Sequence, residues 1–357
     1  MRNQPDMPGK PHVYYQFLRS ASLLLLLVFA TPTFAAEGET EESETAFILH
    51  HVQDEHQWHF ATIGHTEVTL PLPIILYSPD RGVEVFSSSN FFDEAHEPVS
   101  YQGYKIDEHN HVVALEEGRT VYDFSITKNV AALFVSIALL LVIFLTIARR
   151  YQNNPKAPPR GIQSFFEPVI VFIRDEIAIP NIGKHKYQRF MPYLLTLFFF
   201  IWFNNLLGLF PGAANLTGNI AVTLVLALLT FIITNVNGNK EYWKHLAPPG
   251  VPWPILIIMV PVEILGLFTK PFSLMIRLFV SITAGHIVIL SLIALPFLFD
   301  SYAIGVGSAL FVVFINLIEL LVATIQAYIF TLFSAMYIGA AVAEHHHEEE
   351  EVDKNLI

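Results

Sequence analysis

The 357-residue sequence predicts an all-α polytopic membrane protein with about five membrane helices, including a long tilted helical hairpin. A small extracytoplasmic N-terminal module, β-rich or irregular, precedes them. Hydrophobic residues make up 53% of the chain and charged residues only 15%, against about 25% in soluble domains. Apolar zones recur at 128–148, 190–211, 216–236, 252–299 and 302–343, and about 20 apolar residues suffice to cross a bilayer. The net charge of −12 is segregated: residues 37–127 carry eighteen acids against three bases, and the last fourteen residues are acidic too.

These features exclude several functions. No basic surface invites nucleic acid. No G-x-x-x-x-G-K-[ST] loop is present to cradle a nucleotide. Without cysteine there are no disulfides and no thiolate metal sites. His50, His51, His56, His59 and His65 fit no specific ligand spacing, so neither metal nor cofactor is expected.

Lys10 and Arg19 precede the apolar run "ASLLLLLVFA" and the small-residue stretch "TPTFAAEGE". That order predicts a signal peptide over 1–36, cut near Ala35 or Ala36. Residues 37–127 form the acidic module, where pieces such as "WHFATIGHTEVTL" alternate with period two. The first membrane helix is expected over 128–149. Residues 150–189 hold a loop and the amphipathic segment "GIQSFFEPVIVFIRDEIAIPNIG", read as a helix at the cytoplasmic interface. Residues 190–343 form the main membrane domain, and 344–357 an acidic tail. Its last two zones are too long for one upright crossing, so they are tilted, kinked or partly in plane.

Loop charge orients the chain. Arg149, Arg150, Lys156 and Arg160 follow the first zone, Lys184, Lys186 and Arg189 precede the second, and Lys240 and Lys244 follow the third. The alternate connections "PGAANLTG" and "PFLFDSY" have no Lys or Arg. Positive loops lie inside, so the mature N-terminus is extracytoplasmic and the C-terminus cytoplasmic.

Polar residues at membrane depth carry the chemistry. Arg277 has no carboxylate between Glu263 and Asp300. A charge at helix centre costs about 2.5 to 3.5 kcal/mol, and guanidinium cannot shed its proton to escape. Snorkelling or an ion pair with another helix is one reading; an ionisable partner on another subunit is the sharper one. In "FINLIELLVATIQAYIF", Glu319 and Gln326 are seven residues apart, nearly on one helix face, and Asn316 lies one turn before Glu319. His286 ordinarily titrates near neutrality, so a His286–Glu319 neighbourhood can pass protons. Asn204, Asn205, Asn215 and Asn219 add polar groups that fit either an aqueous vestibule or helix packing.

At "PFSLMIRLFVSITAGH" the chain resembles the a subunit of F-type ATP synthases, whose hallmark reads roughly P-x-S-L-x-x-R-L-F-x-N-x-x-A-G-[EH]. Arg277 falls on the family's essential arginine. Glu319, seven residues before "QAYIF", matches a second hallmark; His286 with Glu319 is the family's exchanged His/Glu pair. Glu263 falls on a family acid and Asn205 on a family asparagine. Two positions depart: Ser281 stands at the usual asparagine, and Gly208 at a frequent acid before "LFP". The resemblance covers about residues 160–343.

The resemblance implies a non-catalytic, static proton-channel subunit in a bacterial inner membrane, beside a rotating ring of c subunits and the b-subunit peripheral stalk. ATP chemistry then resides in other subunits of the complex. Two offset aqueous half-channels serve the ring, with His286, Glu319, Asn316 and Gln326 toward the outside and Glu263 toward the cytoplasm. A secondary ion transporter using the same buried Arg, His and Glu is the alternative; such proteins show repeated halves with broken helices, and no such symmetry is present here.

Overall fold

The computed structural model describes residues 54–343, apart from 64–65, 94–97, 108–109, 117–118, 154–157, 210–213, 247–251 and 300. The expected signal peptide and acidic tail lie outside the described residues.

The N-terminal module is β-structure, as period-two alternation suggests. Strands β1 (Gln57–Ile63) and β2 (Thr66–Pro71) form an antiparallel hairpin with an irregularity between His59 and Ala61. Strands β3 (Pro73–Ser78), β4 (Gly82–Ser87) and β7 (Tyr122–Asp123) form a sheet in the order β4-β3-β7. A second hairpin pairs β5 (Tyr104–Ile106) with β6 (Val112–Ala114). Alternate residues of β3 turn inward, so Ile74 and Leu76 meet Phe91, Tyr104 and Val112 in a small core. Arg119 closes that core, pairing with Asp80 at 3.0 Å and donating to the Tyr104 hydroxyl at 3.1 Å.

Among the described residues four helices are long and apolar enough to cross a membrane. Helix α1 (Lys128–Asn153) exposes Phe134, Val135, Leu141, Val142 and Leu145, and only Asn129, Ser136 and Ile147 are buried. An apolar helix with so little protein contact belongs in lipid. Helix α4 (Tyr187–Gly208) is the central one. It buries Leu194, Leu197, Phe198, Phe199 and Ile201. Helices α7 (Trp253–Leu298) and α8 (Tyr302–Val342) form the long hairpin, 46 and 41 residues, or about 69 and 62 Å at 1.5 Å per residue. The chain is thus a polytopic membrane protein.

The zone expected as a third span, 216–236, yields a helix of only 17 residues, α5 (Ile220–Val236). Local capping shortens it. The Asn215 side chain accepts from Gly218 N–H, forming a one-turn 3-10 helix, and the Asn219 side chain accepts from Ala221 N–H.

The segment read as an interfacial helix is α2 (Ile162–Phe172), a π-helical stretch (Ile173–Ala178) and the short α3 (Ile179–Ile182). It is more deeply packed than an amphipathic surface helix, for Ile173, Ile177, Ala178 and Ile182 are buried. Its polar side exposes Arg174 and Asp175, joined through two hydrogen bonds of 2.7 and 3.0 Å. That contact holds the Asp175 carboxyl below its ordinary range.

Small residues let α8 approach its neighbours: Ala323, Ala327, Thr331, Ser334, Ala335 and Gly339 are all buried. A Cβ on Gly339 would lie 2.0 Å from the Asn181 carbonyl oxygen, so only glycine fits. The end of α8 is capped from afar. Lys186 Nζ donates to the Val342 carbonyl at 2.8 Å, and Asn239 Nδ2 donates to the Val342 and Ala343 carbonyls. A short helix, α6 (Lys240–Leu246), follows Asn239.

Candidate functional site

Arg277 sits near the middle of α7, half-buried between the buried Leu274 and Leu278. Its guanidinium lies over the Phe333 ring, 4.6 Å from the centroid. One helical repeat earlier, Lys270 Nζ lies 5.7 Å over the Tyr337 ring. Phe333 and Tyr337 stack with centroids 6.1 Å apart, so two cations of α7 face two rings of α8. Among the described residues no carboxylate forms a salt bridge with Arg277.

Glu319 is 4% exposed. Its Oε1 would be 3.0 Å from a Cβ placed on Gly285, and its Oε2 is buried with no hydrogen-bond partner. Gly285 precedes His286, so the carboxyl and the half-buried imidazole sit at one level of the hairpin. Asn205 comes to the same place from α4: it is 1% exposed, and its Nδ2 donates to the carbonyl of Ala323, one turn beyond Glu319. Asn205 Oδ1 and Thr283 Oγ1 are likewise buried without partners. Glu319 and Asn205, from two helices, thus come close together at the level of Gly285, each with a buried oxygen that has no hydrogen-bond partner in an apolar setting.

Asn316 and Gln326 are partly buried on either side of Glu319 along α8, as their spacing predicts. Ser281 is different. Its hydroxyl donates to the Arg277 carbonyl at 2.7 Å, within its own helix, and so is not offered to the polar cluster.

Glu263 lies exposed on α7, fourteen residues or about 21 Å before Arg277. It faces Tyr242, whose phenol is pushed up by burial and then by that carboxylate. A small cavity nearby is lined by Thr230, Thr234, Asn235, Tyr242, Lys270 and Tyr337. Residue-by-residue reading missed this group because its members are common polar side chains scattered over four helices. On the other side of Arg277 along α7 lies His286, beside the Gly285 against which the Glu319 carboxyl sits. The site therefore has two polar ends separated by Arg277.

Among the described residues no three His, Asp or Glu side chains gather as a metal site. His56 is committed elsewhere, donating from Nε2 to the Asn110 carbonyl at 2.9 Å.

Comparison with known proteins places the sequence among known relatives. Residues 130–339 match the family described as ATP synthase A chain, and residues 47–133 match a domain of unknown function, DUF8433. The chain is 49% identical over 230 residues to "ATP synthase subunit a 2" of Chlorobaculum tepidum, covering 62% of this chain and 64% of that protein. It is 47% identical over 247 residues to "ATP synthase subunit a" of Chloroherpeton thalassium, covering 67% and 73%. The corresponding protein of Anaeromyxobacter sp. is 43% identical over 258 residues, covering 69% and 62%. The chain thus spans about two thirds of the length of these relatives. With more than half of its residues matched and the hallmark helices packed together, the chain belongs to the ATP synthase A chain family.

Proposed function

We propose that this chain is the static proton-channel subunit of the membrane sector of an F-type ATP synthase, coupling proton flow to rotation of a c-subunit ring. The single observation that carries the reading is Arg277: a permanent cation at membrane depth, seated on Phe333, with no carboxylate of its own chain in salt-bridge contact among the described residues. Such a cation calls for an anion from another subunit. A carboxylate on each c subunit supplies it, because a carboxyl can face lipid only when protonated.

The roles follow from charge. A proton enters from outside by way of His286, Glu319, Asn316 and Gln326, with Asn205 beside them, and neutralises a ring carboxylate that then turns into lipid. On its return, Arg277 favours the deprotonated form, and the proton leaves toward Glu263 and the cytoplasm. The fixed charge also repels a proton hopping directly between the two polar ends. Each proton crossing 100 mV contributes about 2.3 kcal/mol. The subunit holds no ATP chemistry; the c ring, the b-subunit stalk and the remaining complex are its partners. It lies in a bacterial inner membrane, N-terminal module outside and C-terminus inside.

The test is Arg277→Ala in the assembled complex. Inverted vesicles lose proton-driven ATP synthesis while the complex still purifies whole. Wild-type synthesis in that variant would overturn the reading.

A further inference from the structure

The N-terminal module and α1 are joined by more than the peptide between them. Asp54 reaches 73 positions along the chain to the start of the helix: its Oδ2 accepts from Thr127 Oγ1 at 2.8 Å and its Oδ1 accepts from Asn129 N–H at 3.0 Å. The carbonyl of Glu55 accepts from Lys128 N–H at 2.8 Å. Thr127, whose carbonyl accepts from Ala131 N–H, is the N-cap. The first turn of a helix has donors without intrahelical partners and carries the positive end of the dipole, and a carboxylate there answers both. Here the module delivers it.

The delivering segment is itself anchored. His56, buried, bonds to the Asn110 carbonyl and lies 3.7 Å from Asp123 of β7. β7 pairs with β3, so the joint closes back on the sheet. What the joint holds is the first half of α1. Asn129 and Ser136, seven residues apart, are the buried residues there, and α1 packs on the 3-10 turn Leu216–Gly218, which itself packs on α4 and α7. No buried apolar side chain secures that half, since Ile147 lies near the far end.

We propose that Asp54 is a positioning residue: it holds the first turn of α1, and with it the buried Asn129, so that α1 keeps its seat on the 3-10 turn Leu216–Gly218, which α4 and the long hairpin share. The module thereby steadies the side of the bundle from which Asn205 of α4 reaches the turn after Glu319. The inference rests on the function proposed above, but its failure is distinguishable from failure of that function, which Arg277→Ala tests on its own.

The experiment uses the whole complex in inverted vesicles. Asp54→Ala lowers proton-driven ATP synthesis per assembled complex severalfold. Asp54→Asn, which keeps an acceptor for Asn129 N–H, recovers most of the rate. A merely structural role lowers the amount of complex and not its rate. The chain has no cysteine, so a second test is clean. In the Asp54→Cys/Thr127→Cys pair, bridging with a short bis-methanethiosulfonate linker raises synthesis, and dithiothreitol lowers it again. Wild-type rate per complex in Asp54→Ala, or a bridged pair no faster than the reduced one, overturns the inference.

Discussion

Glu319 rests its carboxyl group on the backbone of Gly285: a Cβ built on that glycine would lie 3.0 Å from Oε1 and 3.2 Å from the carboxyl carbon. Gly285→Ala therefore pushes the carboxyl by a few tenths of an ångström, and Gly285→Val pushes it further. Proton-driven ATP synthesis falls in that order, with assembly kept, as blue-native gels and vesicle assays together read out. Equal rates in wild type and both variants would mean that the carboxyl position is immaterial.

Ser281 tests whether the departure from the family's asparagine matters. Its hydroxyl is spent on the Arg277 carbonyl, so Ser281→Ala leaves synthesis within about twofold of wild type. A tenfold loss in the same vesicle assay would place that hydroxyl in the proton path instead.

Gly339 tests the packing of α8 on the 179–182 segment. Alanine there collides with backbone at Asn181, and the cost is about 1 to 3 kcal/mol. Gly339→Ala lowers the thermal midpoint of the purified chain in detergent by several degrees. Gly307→Ala, where an added Cβ meets nothing within 4 Å, does not lower the midpoint, because alanine is the better helix former at that position.

Tyr104 gives the module a pH signature. Burial first, and then its hydrogen bond to Glu84, push the phenol above its ordinary value of 10.0. The neutral phenol is favoured in the folded module, so its contribution is complete below pH 10 and is lost as pH climbs through the folded value. Limited proteolysis of the module accordingly accelerates above pH 10. In Tyr104→Phe, which loses contacts to Ser78, Glu84 and Arg119, cleavage is already fast at neutral pH, matching about 1 to 3 kcal/mol.

Much of this was legible in the chain. Arg277, Glu319 and Gln326 stand out because a polar side chain in an apolar run is a local signal, and helical spacing alone puts Asn316 and Glu319 on one face. The length of the hairpin was equally plain. The shortness of α5 was readable but overlooked: Asn215 and Asn219 are capping residues, and apolarity alone does not register caps. What no local signal carries are contacts between residues far apart in sequence. Asn205 meets the turn after Glu319 across 118 positions, and Asp54 meets α1 across 73. Gly339 looks unremarkable until the Asn181 carbonyl is placed beside it. The packing of Ile173 and Ile177 likewise converts a segment with a surface pattern into part of the core.

The long hairpin has a mechanical consequence. A helix of about 69 Å fits within a bilayer of about 45 Å only when inclined, by roughly 50° where it runs straight, or bent at Pro261, Pro271 and Pro296, which lie within it. A partner helix standing upright then crosses it steeply and touches it over a turn or two, without the extended interdigitation of near-parallel helices. On the function proposed above, successive ring subunits would slip past one after another, each meeting Arg277 briefly, with little side-chain meshing to act as a brake.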